Sequence, residues 1–166
     1  AKRTRHFGFE LDGAVTLFIS LTVHGNFTIS QNKLIKHSEY TEIMDTVGDK
    51  IFVSQILDNN PIGGFPSLLG NVRLAYIKAP LSFSIVLKYV GSFYTDNFKN
   101  TRNQNDAYTV VSTEVLYNLP RMYDLDMMIR FGINNIFNNL YFANGEGEAF
   151  YPAAERNYIV GLTITL

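Results

Sequence analysis

The 166-residue chain contains no cysteine. That excludes a disulfide framework, thiolate metal ligands and a cysteine nucleophile. Tryptophan is absent as well, and charge is scarce: Asp, Glu, Lys and Arg together make up 17%, against roughly 25% in an average soluble domain. A formal net charge of −1 supplies no field that would draw nucleic acid, so no nucleic-acid partner is expected. Long apolar runs are missing too, which excludes a transmembrane helix. The opening Ala1-Lys2-Arg3-Thr4-Arg5-His6 lacks the apolar core of a signal peptide. A processed chain or an internal piece of a longer one is therefore expected.

Hydrophobic residues nevertheless reach 46%, with a mean hydropathy near zero. The two facts are compatible if apolar and polar residues alternate, and they do. Leu17, Ile19, Leu21, Val23, Gly25, Phe27 and Ile29 interleave with Thr16, Ser20, Thr22, His24, Asn26, Thr28 and Ser30, and only Phe18 breaks the polar series. A helix would scatter such a pattern around its axis, whereas a strand gathers it on one face. The same period recurs over Leu81–Phe93, Asp124–Asn134 and Asn157–Leu166, and more weakly over Thr4–Leu11, Asn71–Lys78 and Ala107–Leu119. Seven strands are expected.

Several of these runs exceed the five or six residues of an ordinary strand, and about 9–11 residues suffice for a tilted strand to cross a bilayer. The connections alternate in length. Asp12-Gly13-Ala14-Val15, Lys78-Ala79-Pro80 and Pro120-Arg121-Met122-Tyr123 are short, whereas 31–67, 96–106 and 138–156 are long. Tight inner turns alternating with large outer loops are the rhythm of an outer-membrane barrel. Phe93, Tyr94, Tyr108, Tyr117, Phe137, Tyr141 and Tyr158 lie near strand ends, where an amphipathic ring suits the headgroup layer. The expected fold class is all-β, an antiparallel transmembrane β-barrel segment.

Local motifs now narrow the family. Gly64-Phe65-Pro66 with Leu69, Asn71-Val72-Arg73-Leu74 and Tyr76, then Tyr89-Val90-Gly91 with Tyr94-Thr95-Asp96-Asn97, resemble consecutive stretches of TonB-dependent receptors. Asn134-Asn135-Ile136-Phe137-Asn138 with Tyr141, and Pro152 with Arg156-Asn157-Tyr158 and Val160-Gly161-Leu162, resemble the end of that family's barrel. His6-Phe7-Gly8-Phe9-Glu10 is similar to an earlier strand. Order and spacing agree over nearly the whole chain. The resemblance implies that residues 1–166 form the C-terminal seven strands of a barrel of about 22. Nothing here resembles the family's plug domain or its TonB box.

The ending also resembles the strand read by the barrel-assembly machinery, with Tyr158, Gly161, Leu162, Ile164 and Leu166 as the signal residues. Leu166 stands where that signal usually ends in an aromatic.

Arg73, Lys88, Glu114, Arg130 and His24 fall on the polar, lumen-facing side of the expected strands. A charge on the lipid side would cost about 2–4 kcal/mol at the midplane. Such residues either contact plug and substrate or simply solvate the wall. His6, His24 and His37 show no metal-ligand spacing. Asp124 and Asp126 read as solvated edge charges rather than an acid–base pair. Asp45, Asp49, Asp58 and Gly145-Glu146-Gly147-Glu148 lack the spacing of a calcium loop. No metal, no cofactor, no catalytic residue and no enzymatic activity are expected.

The family resemblance implies TonB-coupled uptake of a scarce nutrient, such as a ferric siderophore, across the bacterial outer membrane. Implied partners are outer-membrane lipid, the remaining barrel and plug, TonB acting through the plug, the barrel-assembly machinery and a small-molecule ligand. Two other readings share the alternation. A passive porin-like barrel shares the loop rhythm too, and a soluble lipocalin-like barrel would point its apolar face inward. Alternation alone leaves the direction of that face open.

Overall fold

The computed structural model describes residues 3–44, 46 and 48–166. Seven long strands form one antiparallel sheet. They are β1 (Arg3–Phe18), β2 (Leu21–Ile35), β5 (Leu68–Lys78), β6 (Leu81–Val90), β9 (Tyr108–Asn118), β10 (Asp126–Asn134) and β13 (Asn157–Thr165), paired in that spatial order. Each lies beside its predecessor in the sheet, so neither edge closes on the other. Between them sit three small two-stranded ribbons: β3 (Ser38–Met44) with β4 (Lys50–Ile56), β7 (Phe93–Tyr94) with β8 (Gln104–Asn105), and β11 (Phe142–Glu146) with β12 (Ala149–Pro152). A single 3₁₀ turn, Thr101–Asn103, completes the described elements, capped by the Asn100 side chain accepting from the Arg102 amide.

The register fixes which residues share a face. Across the sheet, His24 pairs with Arg73, Asn71 with Lys88, Ser84 with Glu114, Leu116 with Arg130 and Arg130 with Gly161. Because successive side chains alternate, these and their i±2 neighbours make one polar face. The opposite face carries Phe7, Phe9, Leu11, Val15 and Leu17 of β1, then Phe27, Val72, Leu87, Ile129, Phe131, Val160 and Leu162, all exposed. Buried apolar residues are few, namely Leu34, Leu57, Val90 and Phe93. They lie under the long connections rather than between two layers. The sheet thus presents one broad apolar face, the pattern a membrane-spanning wall requires on its lipid side.

The first short connection differs from the expectation. Asp12-Gly13-Ala14-Val15 is not a turn: β1 runs on to Phe18, Gly13 pairs with Gly25, and the chain reverses at Ile19-Ser20 after a register shift between Thr16 and Phe18. Alternation explains this. Leu11, Gly13, Val15 and Leu17 keep to the apolar face, and the ladder bonds gained by continuing outweigh the local turn preference of Asp-Gly. The Asp12 carboxylate is satisfied across the strand by His24 Nε2 at 3.1 Å. The other five connections keep the expected order of short and long, but their bounds shift: β2 extends as far as Ile35, β6 stops at Val90 rather than continuing to Phe93, and β10 runs only from Asp126 to Asn134.

Candidate functional site

The polar face has an ordered chemistry. At one end of β1 and β2, His6 Nδ1 lies 2.7 Å from Asn32 Oδ1, and its Nε2 lies 3.2 Å from Thr4 Oγ1. Farther along, the Asn71 amide donates to Asn26 Oδ1 at 2.8 Å. Glu114 Oε1 receives Arg130 Nε and Nη2, both at 2.5 Å. Asn134 donates to Asn157 Oδ1 at 2.9 Å on the next pair. Arg73 and Lys88 share this face and are exposed. Neither has an ion-pair partner among the described residues. Thus the register sets His24, Arg73, Lys88, Glu114 and Arg130 on a common wall. Two of them are neutralised within it, Arg130 by Glu114 and His24 (when protonated) by Asp12, while two cations remain unpaired.

The terminal strand divides its residues between faces. Tyr158, Leu162 and Ile164 are exposed on the apolar face, and Leu166 follows the strand, fully exposed. Gly161 lies on the polar face opposite Arg130, whose Cβ is 3.6 Å from where a Gly161 Cβ would stand.

Above the wall, the long connections are cross-braced. Thr95 is buried; its Oγ1 is 3.0 Å from the Asn103 carbonyl and 2.5 Å from the Gly147 carbonyl, and the Gly147 amide donates back to Thr95 O at 3.1 Å. Asn97 works at a second junction. Its amide donates to Glu39 Oε1 at 3.1 Å, its Oδ1 accepts from the Gly63 amide at 3.0 Å, and its carbonyl accepts from Asn60 Nδ2 at 2.9 Å. Glu39 is held below its ordinary pKa by that Asn97 hydrogen bond, with partial burial opposing and the His37 hydrogen bond and charge assisting. Gly63 sits where a Cβ would come within 2.9 Å of the Asp96 backbone, so no side chain fits there. Asn105, 2% exposed, donates to the Phe142 carbonyl at 2.9 Å. Asn135, also buried, donates to the Asn139 and Ala154 carbonyls and accepts the Asn139 amide. These bonds join all three long connections into one braced body.

Residues singled out by motif therefore include the braces themselves: Thr95, Asp96 and Asn97, Gly64 with its φ of +79°, and Asn135. Spacing alone did not distinguish a brace from a ligand contact. Two features went unread in the sequence, the stacking of Tyr108 on Tyr141 (centroids 4.2 Å apart) and the tilted Phe142–Phe150 pair at 5.2 Å. Tyr108 opens β9 whereas Tyr141 lies just before β11, and Phe142 and Phe150 meet only once the β11–β12 hairpin has formed, so no period-two pattern announces either pair. Among the described residues no group of three or more acidic or histidine side chains could hold a metal. Asp45 lies outside the described residues.

A family model described as "TonB dependent receptor-like, beta-barrel" matches residues 1–136. The chain belongs to that family. Its seven-stranded sheet superposes on the siderophore receptor PiuA from Acinetobacter baumannii with a TM-score of 0.77, at 16% identity, over 96% of this chain and 21% of that one. BauA, the ferric preacinetobactin receptor of the same organism, gives 0.76 at 16% identity over 97% and 22%. FyuA, the ferric yersiniabactin uptake receptor from Yersinia pestis, gives 0.69 at 15% over 96% and 23%. The chain thus spans about a fifth of the length of these receptors. No curated protein matches it. In a transmembrane barrel of this family the broad apolar face corresponds to the lipid side and the polar face to the interior. The family consists of receptors and transporters rather than enzymes, and it resides in the outer membrane of Gram-negative bacteria.

Proposed function

We propose that this chain is the C-terminal barrel segment of an outer-membrane receptor that takes up a scarce nutrient, such as a ferric siderophore, with energy from TonB acting through the plug. The observation that carries the reading is the polar face itself. A passive wall needs only to be wet, but here Glu114–Arg130 and Asp12–His24 pair within the wall while Arg73 and Lys88 find no ion-pair partner among the described residues. Two uncompensated cations facing the interior suit an anionic iron complex or acidic groups of a plug. The braced outer connections would form part of the mouth through which such a ligand enters. Tyr158, Leu162, Ile164 and Leu166 would present the terminal strand to the barrel-assembly machinery, and the apolar face would meet outer-membrane lipid.

The test is uptake of radiolabelled ferric siderophores by iron-starved cells that carry or lack the gene, each with and without functional TonB. Uptake that needs both supports the proposal. Uptake independent of TonB would favour a porin-like pore instead.

A further inference from the structure

A cavity of about 430 Å³ opens beside the braced connections, between the β7–β8 ribbon and the β11–β12 hairpin. That volume is within the range of small-molecule sites. Tyr108, at the start of β9, places its ring on the polar face, because it pairs with Val90 and shares parity with Glu114. Tyr141 stacks on it, and Phe142 with Phe150 forms a second aromatic pair in the lining. The remaining charge in the lining is of one sign: Asp106 and Glu155 contribute carboxylates, and among the described residues no Lys, Arg or His lines the cavity. Both acids are exposed and without an ion-pair partner among the described residues. The walls are fixed rather than adaptable, since buried Asn105 ties β8 to the Phe142 carbonyl and Thr95 ties the neighbouring connection to Gly147.

We propose that this cavity binds an aromatic ring carrying a protonated amine, as a free small molecule or as the arm of a larger ligand. The ring gains stacking surface on Tyr108, Tyr141 and the phenylalanine pair. The ammonium gains the negative faces of those rings and the two carboxylates. An anionic analogue of the same shape would meet the carboxylates as like charges. The wall cations Arg73 and Lys88 are not in the lining, so the cavity selects by a chemistry opposite to that of the wall below it. The inference rests on the proposed function only for the route by which a ligand arrives; binding itself requires neither TonB nor transport.

The experiment titrates the purified full-length receptor in detergent with tyramine and with 4-hydroxyphenylacetate, a matched pair that differs in the sign of the tail. Tyramine is expected to bind about tenfold more tightly, from the cation–ring and carboxylate contributions together. Asp106→Asn combined with Glu155→Gln should reduce that preference to the part contributed by the rings, and Tyr141→Leu should weaken both probes. The two acids are exposed and replaced conservatively, so circular dichroism of the double variant should match the parent. The proposal is overturned if the acid binds as well as the amine, if neither binds, or if the double substitution leaves the preference undiminished. Tyramine selectivity retained in a receptor that imports nothing would break the uptake reading alone.

Discussion

Phe131 occupies the middle of β10, between Val115 of β9 and Val160 of β13, and is 40% exposed on the apolar face. Met128, three residues earlier on the same strand, is on the polar face between Asn118 and Thr163. Arginine at the two positions should therefore have very different costs. At Phe131 the guanidinium enters hydrocarbon near the midplane, at about 2–4 kcal/mol, which is roughly thirty- to seven-hundred-fold in the folding equilibrium. At Met128 it meets interior water, with the Asp126 carboxylate two residues away on the same face. The expected cost there is that of a surface substitution, about 0.5 kcal/mol or less. Both variants can be made in the full barrel and unfolded with guanidinium in phospholipid vesicles, followed by tyrosine fluorescence and circular dichroism. Equal midpoints, or a larger loss at Met128, would refute the assignment of faces. That result would point the apolar side inward, as in a soluble binding barrel.

The braces make further predictions. Asn97→Ala removes two side-chain bonds and leaves the Gly63 amide without its acceptor, so it should cost about 1–3 kcal/mol locally, read as faster hydrogen exchange over residues 36–64 and 94–105. Glu39 has a lowered pKa in the folded protein, so its contribution is present above the ordinary carboxylate value and is lost as pH falls through the lowered one. Hydrogen exchange at the β3–β4 ribbon should accelerate only in that acid window, and Glu39→Gln should flatten the response. Gly63→Ala must displace the Asp96 backbone, 2.9 Å from the added methyl, and should loosen the same junction while leaving the seven-stranded sheet intact by circular dichroism. For Glu114 and Arg130, which are 30% and 50% exposed at their side chains, a double-mutant cycle should return the small coupling of a wet ion pair, about 0.2–1 kcal/mol. A much larger value would mean that water is excluded from that stretch of wall.

How much of this was legible in the sequence follows from the range of the interactions. Membrane strands announce themselves because lipid and lumen impose a period of two on every residue, so β2, β6, β10 and β13 can be read one residue at a time. Asp12-Gly13 has the local chemistry of a turn but does not form one. Its carboxylate instead finds His24, twelve residues on, and the pairing of the whole strand decides the matter. Loop chemistry is harder still. Thr95 with Gly147 and Asn97 with Glu39 join residues separated by 52 and 58 positions, and no period links them. Motif resemblance drew notice to Tyr94-Thr95-Asp96-Asn97 without revealing that its polar atoms are spent on holding the connections together. That expenditure bears on function. Polar groups consumed in bracing are not free to coordinate a ligand, so on the proposed function selectivity would draw on groups left over, among them Arg73 and Lys88 on the wall and the aromatic cavity with Asp106 and Glu155 above it. A receptor built this way would sort ligands by charge at two heights, and substitutions at the unpaired groups should change which ligand binds while substitutions at the braces should change how firmly the mouth keeps its shape.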